Sequence, residues 1–300
     1  MATNIICNLL GALLSFLAIH AFTVQSIQKE EGKTLGFDEL RSYLGTFGYL
    51  TDSVPKNSRN FISSFEVDEV LETALKKIQK TYHLNVTGKL DSGTVDLIST
   101  PRCGVSDNFV NLNATEQRTH GVRMGSLGSH YTFFEGNRKW PPTKRNLTYK
   151  FNAGAKNPAA PYALSMACRQ AFDLWAEVTN FTFQQVVPSS PADILISFQR
   201  RDHGDGSPFD GAGKVLAHAF APTDGRLHLD ADENWSFRPP SKNQYDLVWV
   251  AAHELGHVLG LQHSTLSDAI MYAYVGAGKT RRALHSDDIA GIKALYQLQP

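Results

Sequence analysis

Five residues in one short stretch constrain this chain more than any other feature: His253, Glu254, His257, Gly260 and His263. On an α-helix, His253 and His257 lie one turn apart on the same face, where their imidazoles can bind one ion. Glu254 then lies beside the ion without binding it, as a general base requires. Gly260 can adopt the left-handed conformation that ends a helix, and the turn brings in His263 as a third ligand. The spacing predicts a catalytic zinc site.

An amphipathic helix with core histidines is the alternative interpretation of this stretch. Five fixed residue types, with a glycine where the helix must end, favour the zinc site. Met271 follows the zinc motif in the segment 269–273. Alone, Met271 would be ordinary core filling. With the zinc motif, it resembles the Met-turn of the metzincin endopeptidases.

A second motif, Pro-Arg-Cys-Gly-Val-Ser-Asp, occupies residues 101–107. It resembles the cysteine switch of matrix metalloproteinases, in which a propeptide thiolate takes the fourth zinc position and keeps the enzyme latent. Cys103 suits this role because zinc lowers the pKa of a thiol. The resemblance implies that Arg102 pairs with Asp107. Ser106 stands where the family has proline, which predicts a less rigid loop.

A disulfide is the alternative role for Cys103. Cys168 is the candidate partner, because Cys7 lies in a segment that we expect to be removed. Cys168, however, follows the spacing of a buried helix face. The members of that face are Leu164, Cys168, Ala171, Phe172 and Trp175. We therefore predict a core thiol at Cys168.

A second group of metal-binding residue types lies between the two motifs. The resemblance implies a structural zinc held by His203, Asp205, His218 and His228. Three nitrogens and one carboxylate oxygen form a closed tetrahedral set, which suits a structural ion. Taken singly, His218 would more often be a hydrogen-bonded core histidine. The chain as a whole is thus expected to bind two zinc ions.

Acidic residues on both sides of the strand with His218 predict at least one calcium ion, because calcium prefers carboxylate and carbonyl oxygens. The resemblance implies these ligands: Asp210, Gly211, Gly213, Val215, Asp230 and Glu233. A solvated acidic loop is the alternative. Asp193 resembles a ligand of a second calcium, but Arg226 stands where an aspartate is expected and argues against that site.

The N-terminal segment predicts secretion. Residues 5–24 are almost wholly apolar, and the first charged side chain is Lys29. A transmembrane anchor is the alternative, but the terminal position and the small or polar residues 23–26 favour a cleaved signal peptide over residues 1–26. Sequons compatible with glycosylation start at Asn85, Asn113, Asn146, Asn180 and Asn234. We expect an extracellular protein, in the apoplast or the extracellular matrix.

The remaining sequence predicts two domains. Residues 27–130 combine helical spacing over 67–78, a helix cap at Asp91 and a polar linker over 104–130, so they resemble an all-α propeptide bundle. Residues 131–300 alternate strand signals (146–151, 192–198 and 214–220) with helix signals (162–178, from 247 and from 286). This pattern predicts an α/β (α+β) catalytic domain with a twisted mixed sheet and three helices. The organisation is most similar to plant-type matrix metalloproteinases, with propeptide and catalytic domain only.

The resemblance implies a secreted zinc endopeptidase, inhibited by its own propeptide, that hydrolyses extracellular matrix or cell-wall proteins. Extended peptides would add to the edge strand and enter a pocket beside the zinc. The residues implied for this contact are Leu216, Ala217, Ala219, Trp249, Tyr272 and Tyr274. For Trp249, burial in the core is the equal alternative.

Two competing function classes remain, a non-catalytic wall-binding protein and a metal hydrolase of other substrates. Glu254 argues against the first, because a binding module needs no base beside an open metal. The edge strand and the inhibitory propeptide argue against the second. A formal net charge of +0 without a concentrated basic run argues against a nucleic-acid partner. We expect a monomer whose mature chain has no membrane anchor.

Overall fold

A computed structural model describes residues 35–50, 64–107, 129–156, 159 and 162–299. The predicted signal peptide, Cys7, Asn113 and most of the predicted linker lie outside the described residues. The chain divides into two compact units, with the boundary between Leu44 and Gly45. Within the described part, no helix is both long enough and apolar enough to cross a membrane.

The described residues that precede the switch motif are mainly helical, as predicted. Its helices are α1 (Phe37–Thr46), α2 (Ser64–Thr81) and α3 (Ser92–Ile98). Asp91 caps α3, since its side chain accepts a hydrogen bond from the Thr94 amide. Gln79 of α2 is buried and its amide donates to Thr87, Thr94 and the Lys89 carbonyl. These bonds fix the turn between α2 and α3.

A six-stranded mixed sheet forms the centre of the second unit. Its strands are β1 (Arg102–Cys103), β2 (Asn146–Phe151), β3 (Thr182–Gln185), β4 (Ile194–Gln199), β5 (Val215–Ala219) and β6 (Arg226–Asp230), in the order β1-β5-β6-β4-β2-β3. Only β5 and β6 pair antiparallel; the other pairs are parallel. A second, two-stranded sheet pairs β7 (Trp235–Ser236) with β8 (Tyr245–Asp246). The predicted α/β class with a mixed sheet is confirmed.

The three helices predicted for residues 131–300 are present: α4 (Ala163–Ala176), α5 (Leu247–Val258) and α6 (Ser286–Tyr296). All of α5 is buried, so it is a core helix. It packs against α4, where the Trp175 indole donates to the Ala252 carbonyl at 2.9 Å. Cys168 of α4 is buried and forms no disulfide. The prediction of a core thiol is confirmed.

The ends of α5 set where its histidines lie. At the start, the Asp246 carboxylate accepts from the Val248 and Trp249 amides and is paired with the Arg282 guanidinium. At the end, Gly260 has φ of 104°. A Cβ there would lie 2.3 Å from the Arg138 carbonyl oxygen, so the position requires glycine. The chain then turns back toward α5.

Candidate metal centres and active site

The zinc motif and the switch cysteine converge in one buried cluster: Cys103, His253, His257 and His263. The Nε2 atom of His257 lies 3.1 Å from His253 Nε2 and 3.2 Å from His263 Nε2. The Cys103 thiol sulfur lies 3.4 Å from His257 Nε2. Donor atoms of four side chains thus face one point in the protein interior.

The backbone fixes two of the imidazoles. The Nδ1 atom of His253 lies 2.8 Å from the Ile270 carbonyl oxygen, and that of His257 lies 2.8 Å from the Leu261 carbonyl oxygen. A carbonyl only accepts, so each Nδ1 carries the hydrogen and each Nε2 presents a lone pair to the cluster. Burial lowers the pKa of His253 to about 3 and that of His257 far below its usual value. Neutral imidazoles are the form that binds metals.

His263 completes the set through a different partner. Its Nδ1 atom lies 2.6 Å from Oδ1 of the Asp107 carboxylate, and both side chains are fully buried. A carboxylate only accepts, so His263 also directs a lone pair at the cluster. Three lone pairs without a shared hydrogen repel one another unless a cation lies between them. The donor set therefore fits zinc, which binds imidazole nitrogen and thiolate sulfur.

Glu254 is buried beside these ligands, and neither of its carboxylate oxygens has a hydrogen-bond partner among the described residues. Burial raises the pKa of Glu254 to about 8. Such an environment favours uptake of a proton, which suits a general base.

The turn that contains Ile270 and Met271 positions a partner of His253. Both oxygens of the buried Asp288 carboxylate accept from this turn, from the Ile270 amide at 2.8 Å and the Met271 amide at 3.0 Å. The Ile270 carbonyl is thereby held in place for His253. Sequence reasoning missed Asp288, because an acidic residue in the first turn of a helix is also ordinary capping.

The switch motif occupies a groove between two chain segments. On one side, β1 pairs with β5 and Gly104 donates from its amide to the Ala217 carbonyl at 2.8 Å. On the other side, the Cys103 amide donates to the Ala273 carbonyl and the Val275 amide to the Pro101 carbonyl. The motif is thus hydrogen-bonded along both edges.

Arg102 and Asp107 form the predicted pair. Two Arg102 nitrogens donate to the two Asp107 oxygens at 2.7 and 2.9 Å, and both side chains are buried. Although burial raises it, the charge of Arg102 and the contact with His263 hold the pKa of Asp107 well below its usual range. The hydroxyls of Tyr49 and Tyr82 also donate to Asp107, at 2.6 and 2.9 Å. No local sequence signal identified these two tyrosines.

The second predicted zinc cluster also converges. Oδ2 of Asp205 lies 2.8 Å from His203 Nε2, 2.8 Å from His218 Nε2 and 2.9 Å from His228 Nδ1. The register of β5 and β6 places His218 opposite His228. His203 donates from Nδ1 to the Arg201 carbonyl, so its Nε2 presents a lone pair to the carboxylate. Three imidazole nitrogens and one carboxylate oxygen that meet at one point fit a closed metal site.

Comparison with known proteins agrees with this geometry. The family model of the matrixins matches residues 139–297. The chain is 40% identical over 270 residues to Metalloendoproteinase 1 of Glycine max, covering 88% of this chain and 83% of that protein. The chain belongs to the matrixin family. Metalloendoproteinase 2-MMP of Arabidopsis thaliana is 40% identical over 280 residues, covering 88% of this chain and 71% of the relative.

An animal relative extends the comparison. Stromelysin-1 of Equus caballus is 35% identical over 293 residues, covering 96% of this chain and 54% of that protein. As a matrixin, the chain is a zinc-dependent metalloendopeptidase, and the predicted family resemblance is confirmed. The His253, His257 and His263 cluster is its candidate zinc site.

Carboxylates of the matrixin also gather where calcium was predicted. Asp230 Oδ2 is buried without a partner among the described residues. Burial, with the neighbouring Asp210, raises the pKa of Asp230 to about 6, and burial raises that of Glu233 to about 7. The Glu233 carboxylate accepts from the Gly213 amide, and the Asp210 carboxylate from the Val215 amide. An unpartnered oxygen among mutually repelling carboxylates fits a cation. Gly211 has φ of 90° in the same loop.

Asp193 has protein partners on both carboxylate oxygens. One oxygen accepts from the amide and hydroxyl of Thr148 at 2.8 Å each, and the other lies 2.8 Å from the Lys144 ammonium nitrogen. The Arg226 guanidinium is paired with Asp224. Because Lys144 already supplies the counter-charge of Asp193, this geometry argues against a second calcium site.

Several of the residues predicted to contact substrate lie next to the switch motif. Leu216, Ala217 and Ala219 lie on β5, next to β1, and Tyr274 forms a bridge with Arg102. The Tyr82 ring packs edge-on against Tyr272 and Tyr274, at centroid distances of 5.5 and 4.9 Å.

Trp249 is buried at the start of α5, with the Arg281 guanidinium 4.2 Å above its ring. Arg281 in turn donates to the Ala269 carbonyl at 2.8 Å. Arg281 therefore joins the Trp249 side of α5 to the turn that precedes Met271.

Proposed function

We propose that this matrixin is a secreted endopeptidase, made as a latent zymogen, that hydrolyses extracellular matrix or cell-wall proteins. The observation that carries the proposal is the buried cluster of Cys103, His253, His257 and His263 next to an unpartnered Glu254. Three histidines form a catalytic donor set, and the cysteine fills the one position that the reaction needs.

His253, His257 and His263 would hold the catalytic zinc. Bound zinc supplies a Lewis acid that polarises the scissile carbonyl and makes water acidic enough to attack at neutral pH. Glu254 takes the proton of the attacking water on a carboxylate oxygen and then delivers it to the nitrogen of the leaving amine. Its lack of hydrogen-bond partners leaves both oxygens available for this transfer.

Substrate would bind in the groove that the switch motif now fills. The motif is hydrogen-bonded to β5 on one side and to residues 273–275 on the other, so an extended peptide in its place can use the same backbone groups. Leu216, Ala217 and Ala219 would form one wall, with Tyr272 and Tyr274 on the other. Trp249 and Arg281 would lie behind the pocket beside the zinc.

Residues outside the catalytic cluster would stabilise the mature fold. His203, Asp205, His218 and His228 suit a structural zinc, because they form a closed set with no open position. One calcium ion would bind the carboxylates of Asp210, Asp230 and Glu233 and the carbonyls of Gly211, Gly213 and Val215. The proposed organisation is a signal peptide over 1–26, a propeptide with linker over 27–130 and a catalytic domain over 131–300, acting as a monomer.

Substitution of Cys103 tests the latency that this function requires. The full-length Cys103→Ser protein should cleave fluorogenic peptides without treatment, whereas the parent should do so only after a thiol-reactive mercurial. Cys168→Ser is the matched control, because Cys168 is a buried thiol of α4 that is not part of the cluster. Peptide mapping by mass spectrometry then shows the cut sites and the preferred residues.

Two outcomes would contradict the proposal. A Cys103→Ser protein that binds zinc but cleaves no peptide in a diverse library would argue against an endopeptidase. A parent that is fully active before any treatment would argue against latency through Cys103.

A further inference from the structure

Each of the three histidines of the proposed zinc site has its ring fixed by a partner on Nδ1. For His253 and His257 that partner is a backbone carbonyl of the catalytic domain. For His263 it is the side chain of Asp107, the last residue of the switch motif. Among the contacts of the described residues, the third ligand is therefore the only one oriented by the proposed propeptide.

The Asp107 carboxylate that contacts His263 is also held in position by hydrogen bonds from other side chains. Its Oδ1 accepts from Arg102 and His263, and its Oδ2 accepts from Arg102, Tyr49 and Tyr82. Arg102 can only donate and contacts both oxygens, so Asp107 meets its partners as a charged carboxylate. The carboxylate is held at 2.6 Å from His263 Nδ1 with full burial of both side chains.

A carboxylate on the outer nitrogen of a metal-binding histidine has a known physical effect. It fixes the tautomer that leaves Nε2 free to bind, and it makes the imidazole a stronger donor; removal of such a partner weakens metal binding about 10- to 100-fold. Exclusion of water strengthens the bond further, because charge-assisted hydrogen bonds are stronger in a low-dielectric interior.

We propose that Asp107 is a positioning residue for the zinc ligand His263, so that the propeptide raises the zinc affinity of the site that it blocks. This inference rests on the proposed function of the cluster and adds a second role to the switch motif. Cys103 would occupy the open position, and Asp107 would retain the metal by orienting a ligand that the mature domain keeps. Release of the propeptide would then weaken zinc binding in two ways, because the site would lose both the Cys103 thiolate and the Asp107 contact that orients His263.

The test uses full-length protein with two background substitutions. Glu254→Gln prevents self-cleavage, and Cys103→Ala removes the thiolate, so that any effect of Asp107 is measured alone. Zinc affinity is determined by competition with a chromogenic chelator. In this background, Asp107→Asn should weaken catalytic-site zinc binding about 10- to 100-fold. Zinc at the His203, His218 and His228 cluster, which has no contact with Asp107, is the internal reference.

Tyr49→Phe is the matched control. It removes one hydrogen bond from the same carboxylate, on Oδ2, and leaves the His263 contact on Oδ1 in place. Unchanged zinc affinity in Tyr49→Phe with weakened affinity in Asp107→Asn supports a direct effect on His263. Equal weakening in both variants would overturn it, because the effect would then come from general loosening of the switch segment.

A spectroscopic measurement decides the matter independently of whether Asp107→Asn folds. In the zinc-loaded background protein, the Nδ1 hydrogen of His263 should give a slowly exchanging, strongly downfield proton resonance coupled to an imidazole nitrogen. Its absence in a zinc-loaded protein would overturn the proposal, as would a folded Asp107→Asn protein with unchanged zinc affinity. If the parent chain binds no zinc at all, it is the proposed function that fails.

Discussion

Gly256 lies in α5 between Glu254 and His257, where an alanine would ordinarily favour the helix. A Cβ at this position would lie 2.2 Å from Met271 Sδ and 3.0 Å from Trp175 Cζ2. Helix propensity alone predicts that Gly256→Ala stabilises the protein by about 0.8–1.0 kcal/mol. Overpacking of a tight core costs about 1–3 kcal/mol, and Met271 and Trp175 are both buried. We therefore expect a net loss of roughly 0–2 kcal/mol in the free energy of unfolding.

Urea unfolding of the full-length latent protein, followed by tryptophan fluorescence, measures this change. A double-mutant cycle with Met271→Ala makes the test sharper. That truncation should cost about 2–5 kcal/mol. In its background the methyl group of Gly256→Ala no longer meets Met271 Sδ, so the substitution should be less destabilising than in the parent. We expect a coupling energy of about 0.5–3 kcal/mol. Stabilisation by Gly256→Ala in the parent, with no coupling to Met271, would refute the packing argument.

Two further predictions concern buried polar groups. Ser106 Oγ is buried without a partner among the described residues, so Ser106→Ala should stabilise the latent chain by about 1–3 kcal/mol; a lower Tm in calorimetry would contradict this. Calcium at about 100 times its Kd should stabilise the parent by about 2.7 kcal/mol, which is roughly 5–10 °C in Tm for a domain of this size. Asp230→Asn should lose most of that shift, and an equal shift in parent and variant would exclude Asp230 as a ligand.

The sequence predicted elements whose signal is local. The strand at Asn146–Phe151 and the start of α5 at Leu247 agree with the structure, because hydrophobic periodicity and the zinc motif are contained within each segment. Strand β3 was not predicted; its four residues are mostly exposed, so no buried alternation marks it. The prediction of a core thiol at Cys168 was also correct because its signal is local: the buried residues of α4 recur at regular helical spacing.

Contacts between distant segments could not be predicted in the same way. The partners that orient the catalytic histidines include the Ile270 and Leu261 carbonyls, which carry no sequence signal because every residue has a carbonyl. The convergence of Tyr49, which follows α1, and Tyr82, which follows α2, on Asp107 is a contact between segments that are distant in sequence. For Trp249, spacing alone left pocket and core equally open, and its burial under Arg281 became evident only from the fold.

The central claim is that Glu254 is the general base of a zinc endopeptidase and not a ligand, and one substitution tests it most directly. The mature Glu254→Ala enzyme is compared with the parent for zinc content by elemental analysis and for peptide cleavage. We expect nearly unchanged zinc and a loss of activity of at least about two to four powers of ten, the usual contribution of a general acid and base. Activity within about tenfold of the parent, far less than that contribution, would contradict the mechanism, and loss of the zinc would identify Glu254 as a ligand instead.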